Sequence, residues 1–264
     1  NYHEIYAVGY SNTDFNVVKT WTEYLNRLTG VTIGILIFLT LWDSRAYLKT
    51  DKAVFYLSLA VFLLVGFQGW LGSVVVKTHL HPLMITAHML LALFIVALLI
   101  YAIARSQSEL LQQIDIARLP DKFKTVLIVA MSLTLIQVGM GTQVREAVDL
   151  IATHHNYIDR EYWRDSFPII FYIHRSFSAI ILFTNLWLAW KVYQSVERSS
   201  LLFRLAAVLV GLIITAILAG VSLDRLGMPP VVQPIHLLMA NLIFGVQFFI
   251  FICISYAAKT QQNA

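Results

Sequence analysis

Charge and cysteine are both scarce in this chain. Only 13% of its 264 residues are charged, against 58% that are hydrophobic. That balance excludes an ordinary soluble domain and points to an integral membrane protein. Cys253 is the single cysteine, so no internal disulfide can form, and its place in the last apolar run marks it as packing. Alternating apolar and polar segments of about ten residues are absent, which excludes a membrane β-barrel. A P-loop, an H-E-x-x-H and a C-x-x-C are also missing, and no intramembrane ladder of acids and bases of the pump type occurs. The net charge of +4 bears on orientation in a membrane and gives no reason to expect a nucleic acid partner.

What the chain has in abundance is long apolar runs. Each needs about 20 residues to cross a bilayer as a helix, and seven qualify, at roughly 23–47, 53–76, 83–104, 123–145, 168–193, 202–223 and 231–257. Lipid leaves helices and closed barrels as the only spanning structures, so the predicted fold is an all-α integral membrane helical bundle. The 19 lysines and arginines divide eleven to eight between the two sides. The richer side is expected to be cytoplasmic. The N-terminus would then lie outside and the C-terminus inside. The chain opens at Asn1 with no initiator methionine or signal-like region and reads as a processed or partial chain.

A repeat organises these spans. His174 and His236 are 62 positions apart (236 − 174), and so are Asn26 and His88 (88 − 26). A step of 46 carries Asn26 to Gly72 (72 − 26) and His174 to Gly220 (220 − 174). Tyr24-Leu25-Asn26-Arg27 parallels Tyr172-Ile173-His174-Arg175. The first three spans therefore match the last three, and the fourth has no partner. A helix ahead of residue 1 would complete two pseudo-symmetric four-helix halves, giving eight spans. The expected division is an N-terminal half over 1–104, a cytoplasmic linker over 105–122 and a C-terminal half over 123–264.

All four key positions fall near the outer ends of their spans. Ionisable groups in lipid are costly and usually functional, and a facing imidazole pair is one way to hold a haem iron. Gly30, Ala92, Ser178 and Ala240 each follow a key residue by four, on the same helix face. Small side chains there would let a flat ring approach the backbone, or simply let helices approach each other. Arg27 and Arg175, at the membrane mouth, suit the propionates of a haem as well as they suit snorkelling to the interface. Arg145, at the predicted outer end of the fourth span, is a similar candidate. Glu23, three before Asn26, shares its face, whereas the equivalent position in the second copy is Phe171 (174 − 3). This asymmetry suggests a tightly ligated cofactor in the second half and chemistry in the first. His79, His81, His154 and His155 are expected in loops, and His3 lies near a frayed end. Gln68, Gln137 and Gln247 are expected to bond across helices.

At these residues the chain resembles haem A synthase. The matching pieces are Glu23-Tyr24-Leu25-Asn26-Arg27, Gln68-Gly69-Trp70-Leu71-Gly72, the His88 helix, Gly139 to Arg145, Tyr172-Ile173-His174-Arg175 and Gln233-Pro234-Ile235-His236. They run in family order through nearly the whole chain, closest to the family's Bacteroidetes-type branch. The resemblance implies eight helices, with haem b held between His174 and His236. It implies that haem O, bound in the first half, is converted to haem A by oxidation of a ring methyl to a formyl. The family's essential carboxylate maps to Glu23 and its N-terminal histidine pair to Asn26 and His88. Here Asn26 stands where the family has a histidine, so His88 would be the one protein ligand of the substrate haem iron. The loop between the fourth and fifth spans lacks the cysteines seen in many members.

The expected activity is thus that of a multi-pass oxidoreductase of the inner (cytoplasmic) membrane, with haem sites toward the outer face, serving cytochrome oxidase assembly. Expected partners are the enzyme that supplies haem O, oxidase assembly factors and membrane lipid, with oligomerisation left open. Two rivals share the sequence. A b-type cytochrome carrying electrons needs the histidine pair but not Glu23. A seven-helix receptor or transporter needs neither.

Overall fold

Local signals set the ends of the helices. Asp51 caps the helix that follows it, its carboxylate accepting from the Ala53 N–H at 3.1 Å. Ser200 does the same for the Phe203 N–H at 3.2 Å. Pro82 opens the helix that carries His88, and Pro168 precedes the one that carries His174. Between the last two helices, Gly227 and Met228 both take positive φ, 66° and 56°. Met228 N–H bonds back to the Leu223 carbonyl and Leu226 N–H to that of Ser222, a hydrogen-bonded stop that proline then follows. The left-handed turn at Met228 costs about 1–2 kcal/mol. Burial of its side chain among Val148, Ala152, Trp163 and Phe171 offsets this.

The computed structural model describes residues 17–78, 81–155, 160–229 and 231–262. Its long helices are α1 (Val17–Ser44), α2 (Lys52–Lys77), α3 (Pro82–Ser106), α4 (Phe123–His154), α5 (Ile169–Ser195), α6 (Leu201–Arg225) and α7 (Val232–Gln262). A short helix, Ser108–Gln112, lies in the 105–122 connection. All seven long helices contain stretches apolar enough to cross a membrane, and many large apolar side chains, such as Leu63, Phe183 and Leu218, face outward. The protein is a multi-pass helical membrane bundle, as its hydropathy predicts.

The helices group as α1–α2–α3 and α4–α5–α6–α7, each packing on its neighbour in sequence. The groups meet where α3 packs against α7 and touches α4, and α4 also packs on α7 within the second group. A buried core runs through α4, α5, α6 and α7, from Leu127 and Leu188 to Leu209 and Cys253. A smaller one joins α1, α2 and α3 through Ile37, Val61 and Ile95. Leu93, Val138 and Phe244 form an apolar septum between the groups.

The fourth span is longer than its hydropathy suggests. The apolar run predicts an end near 145, but α4 continues to His154. Val148 and Ala152 keep a buried stripe going, and Arg145 pairs with Asp149 one turn on, at 3.5 Å. Arg145 is therefore inside the helix rather than at its end, and His154 is helical rather than in a loop. His81 occupies the N-cap position of α3. His3, His79 and Asp159 lie outside the described residues.

Candidate functional site

α5 and α7 share at most a marginal backbone contact, being held by α4 and α6. Across the gap between them His174 and His236 face each other, ring centroids 6.4 Å apart and planes at 72°. His236 Nδ1 lies 2.9 Å from the Ala216 carbonyl. That bond is made by an Nδ1–H tautomer, which leaves Nε2 with a free lone pair. His174 Nδ1 is buried with no partner. Gln137 on α4 donates to the His174 carbonyl at 3.0 Å, its amide nitrogen 3.5 Å from the ring Nε2.

Glycines bring the backbone up against these rings. A Cβ at Gly220 would meet His236 Cε1 at 3.3 Å, and one at Gly141 would meet His174 Cε1 at 3.4 Å. The first group repeats the pattern: a Cβ at Gly72 would meet His88 Cε1 at 3.2 Å. Gln68, on α2, donates to the His88 carbonyl at 2.9 Å, and His88 Nδ1 is buried and unpartnered. Thr86 and Thr142 bond at 2.8 Å between α3 and α4, joining the His88 helix to the helix that backs His174.

The α1 residues are arranged differently. Glu23, Asn26 and Arg27 are exposed and make no hydrogen bond or ion pair among the described residues. Gly30, one turn below Asn26, has open space around it. The helix packs on α2, with Ile37 against Val61, and its least exposed positions, Gly34, Ile37, Leu41 and Ser44, form a stripe of period three to four that Glu23, Arg27 and Gly30 continue upward. Ser178 uses its hydroxyl on the Arg175 carbonyl at 2.6 Å, while Ala240 packs on the septum.

Arg175 is not free at the mouth. Its guanidinium donates to Asp224 at 3.2 Å, and Arg164 and Arg225 approach the same carboxylate at 3.5 and 3.7 Å. The Asp224 side chain is only 10% exposed. It lies one turn beyond Gly220, so three arginines gather beside the histidine pair with an excess positive charge of two. Sequence reasoning missed Asp224, Arg164 as part of this cluster, and the ring contact of Gly141. Their signal was weak because they come from two different long helices and the short 3-10 segment Arg160–Ser166.

Two half-buried imidazoles on opposed helices fit a metal held from both sides. Two nitrogen–metal bonds of about 2 Å, with half a ring at each end, span about 6 Å, near the observed separation. Among the described residues no group of three or more His, Cys, Asp or Glu could hold a bare metal ion. The arrangement therefore suits a metal whose remaining ligands come with a planar macrocycle.

Fold and site define a helical membrane protein with a facing histidine pair at one end of a four-helix group. The chain belongs to the cytochrome oxidase assembly protein family COX15-CtaA, the haem A synthase family, whose model matches residues 1–248. No curated protein matches it. Membership carries a role in cytochrome oxidase assembly.

Proposed function

We propose that this protein is a haem A synthase, oxidising a ring methyl of haem O to the formyl of haem A. The observation that carries the reading is the facing pair His174–His236 at 6.4 Å. These residues would hold haem b, with Gln137 and the Ala216 carbonyl fixing their helix and ring orientation. Bound haem b supplies a one-electron couple. The Asp224 cluster would position Arg175, Arg164 and Arg225 for two propionates, whose charge balances the excess of two.

His88, backed by Gly72 and Gln68, would bind the substrate haem iron. Asn26 and Arg27 would complete that cleft from α1, Arg27 reaching a propionate. Glu23 would place a carboxylate near the reacting methyl, stabilising positive charge there and taking up a proton. The sites would face the outer side of the inner membrane. A haem O-producing enzyme and oxidase assembly factors would be its partners.

Substitutions test the two sites separately. His236→Ala should remove haem b from the purified protein. The loss in affinity should exceed the roughly 10–100-fold that outer-shell changes cost. Glu23→Ala should keep haem b and abolish haem A accumulation in cells. Unchanged haem A output in that variant would favour a b-type cytochrome that only carries electrons.

A further inference from the structure

Three turns below the facing histidines the interval of 62 occurs again. Asn185 and Gln247 (247 − 185) each follow their histidine by eleven residues (185 − 174; 247 − 236). Eleven residues make about three helical turns, some 16 Å, so the polar pair lies on the histidine-bearing faces. Both side chains have 0% exposure. Gln247 donates to Asn185 Oδ1 at 2.9 Å. Asn185 donates to the Ile181 carbonyl at 2.8 Å. The Thr134 hydroxyl on α4 lies 2.9 Å from the Ala130 carbonyl and 3.1 Å from Gln247 Oε1, sharing its proton between them.

This layer links two helices that barely touch. α5 and α7 are packed by α4 and α6 rather than by each other, and the Asn185–Gln247 bond crosses between them directly. A shift of either helix would leave a buried amide unpaired, which is costly where no water can replace the partner. The matching positions in the first half, 148 earlier, are Ile37 and Leu99 (185 − 148; 247 − 148). They belong to the apolar cluster around Val61 and Ile95. Apolar contacts are non-directional, so that layer permits small slides and rotations that the amide layer does not.

We propose that Asn185, Gln247 and Thr134 form a brace that sets the distance and ring angle of His174 and His236. The brace makes the second cleft a rigid, permanent cofactor holder. The apolar layer of the first half leaves that cleft free to adjust as a haem enters and its product leaves. The inference rests on the reading of His174 and His236 as haem ligands.

The test compares the full chain, purified with its haem, with three variants. Asn185→Ile/Gln247→Leu copies the apolar layer of the first half and removes both partners together, so no amide is orphaned. Asn185→Gln/Gln247→Asn exchanges the pair and keeps its bonding capacity. Thr134→Val removes the third contact alone. Haem loss to apomyoglobin and the electron paramagnetic resonance g values, which report the angle between axial imidazoles, are measured for each. The apolar variant should lose haem about 10-fold faster or more with altered g values, and the exchange variant should return toward wild type. Should the apolar variant not fold, Thr134→Val decides by the same two readouts, with a smaller shift in the same direction. Haem-loaded wild type alongside unchanged rates and g values in the variants would overturn the brace alone. Wild-type protein that binds no haem b would overturn the ligand reading, and the brace with it.

Discussion

At the ring of His236 two backbone groups do most of the positioning. The Ala216 carbonyl takes one nitrogen, and Gly220 sits against Cε1 with 3.3 Å to a hypothetical Cβ. Gly220→Val should therefore push the ring off its axis. The expected cost is about 1–3 kcal/mol of stability, the usual range for overpacking, with a weakened low-spin haem spectrum. A Gly220→Val protein with wild-type spectrum and melting temperature would show that the glycine is incidental. The histidine pair itself was legible in sequence, because equal intervals in apolar runs reveal duplication. Of its supports, Gly220 and the cross-helix bond of Gln137 were legible too, whereas the Ala216 carbonyl and the ring contact of Gly141 were not. Gln68 and Ala216 occupy equivalent positions (216 − 68 = 148), yet one supports its histidine helix with a side-chain amide and the other with a backbone carbonyl. A repeat predicts that a position matters without predicting which atom acts there.

Helix ends carry the next layer of control. Asp224 closes α6 and ties together Arg175 of α5, Arg164 of the preceding connection and Arg225. Trp163, beside Arg164, is buried against Val148, Ala152, Phe171 and Met228. Asp224→Asn should release the three arginines and loosen this connection. Its cost should be about 1–2 kcal/mol, between the surface and buried limits for ion pairs, measured as a drop in melting temperature. An unchanged melting temperature would contradict that role. At the other end of the bundle, Arg105 donates to Asp51 at 2.6 Å and holds its carboxyl below the usual range. A lowered folded-state pKa stabilises above the ordinary carboxylate pKa, and the gain is lost as pH falls through the lowered value. Asp51→Asn should thus melt slightly earlier than wild type at neutral pH, the two curves converging in acid. Because Asn caps a helix as well as Asp does, a gap that persists in acid would contradict the assignment to charge. Helix boundaries set by hydropathy were accurate where a proline or a cap coincided with the end of the apolar run. They fell short at the start of α1, at the end of α7 and most of all at α4, where the helix leaves the apolar layer and continues on an ion pair and a buried stripe.

Across the whole molecule, the order of spans and the helical class were legible in the pattern of apolar runs. The packing of α7 against both α3 and α4 was not. In lipid, helices are apolar on all sides, so hydrophobic periodicity no longer marks the face that meets protein. That packing joins the two helix groups through the Leu93–Val138–Phe244 septum and the Thr86–Thr142 bond, making one bundle of two unequal groups. The proposed function requires haem b between His174 and His236. Absorption spectroscopy with haem extraction from the purified full chain tests it directly. A Soret band with extractable haem b, retained in Glu23→Ala and lost in His236→Ala, is the predicted result. Folded protein with no Soret band, or a band that survives in His236→Ala, would contradict it.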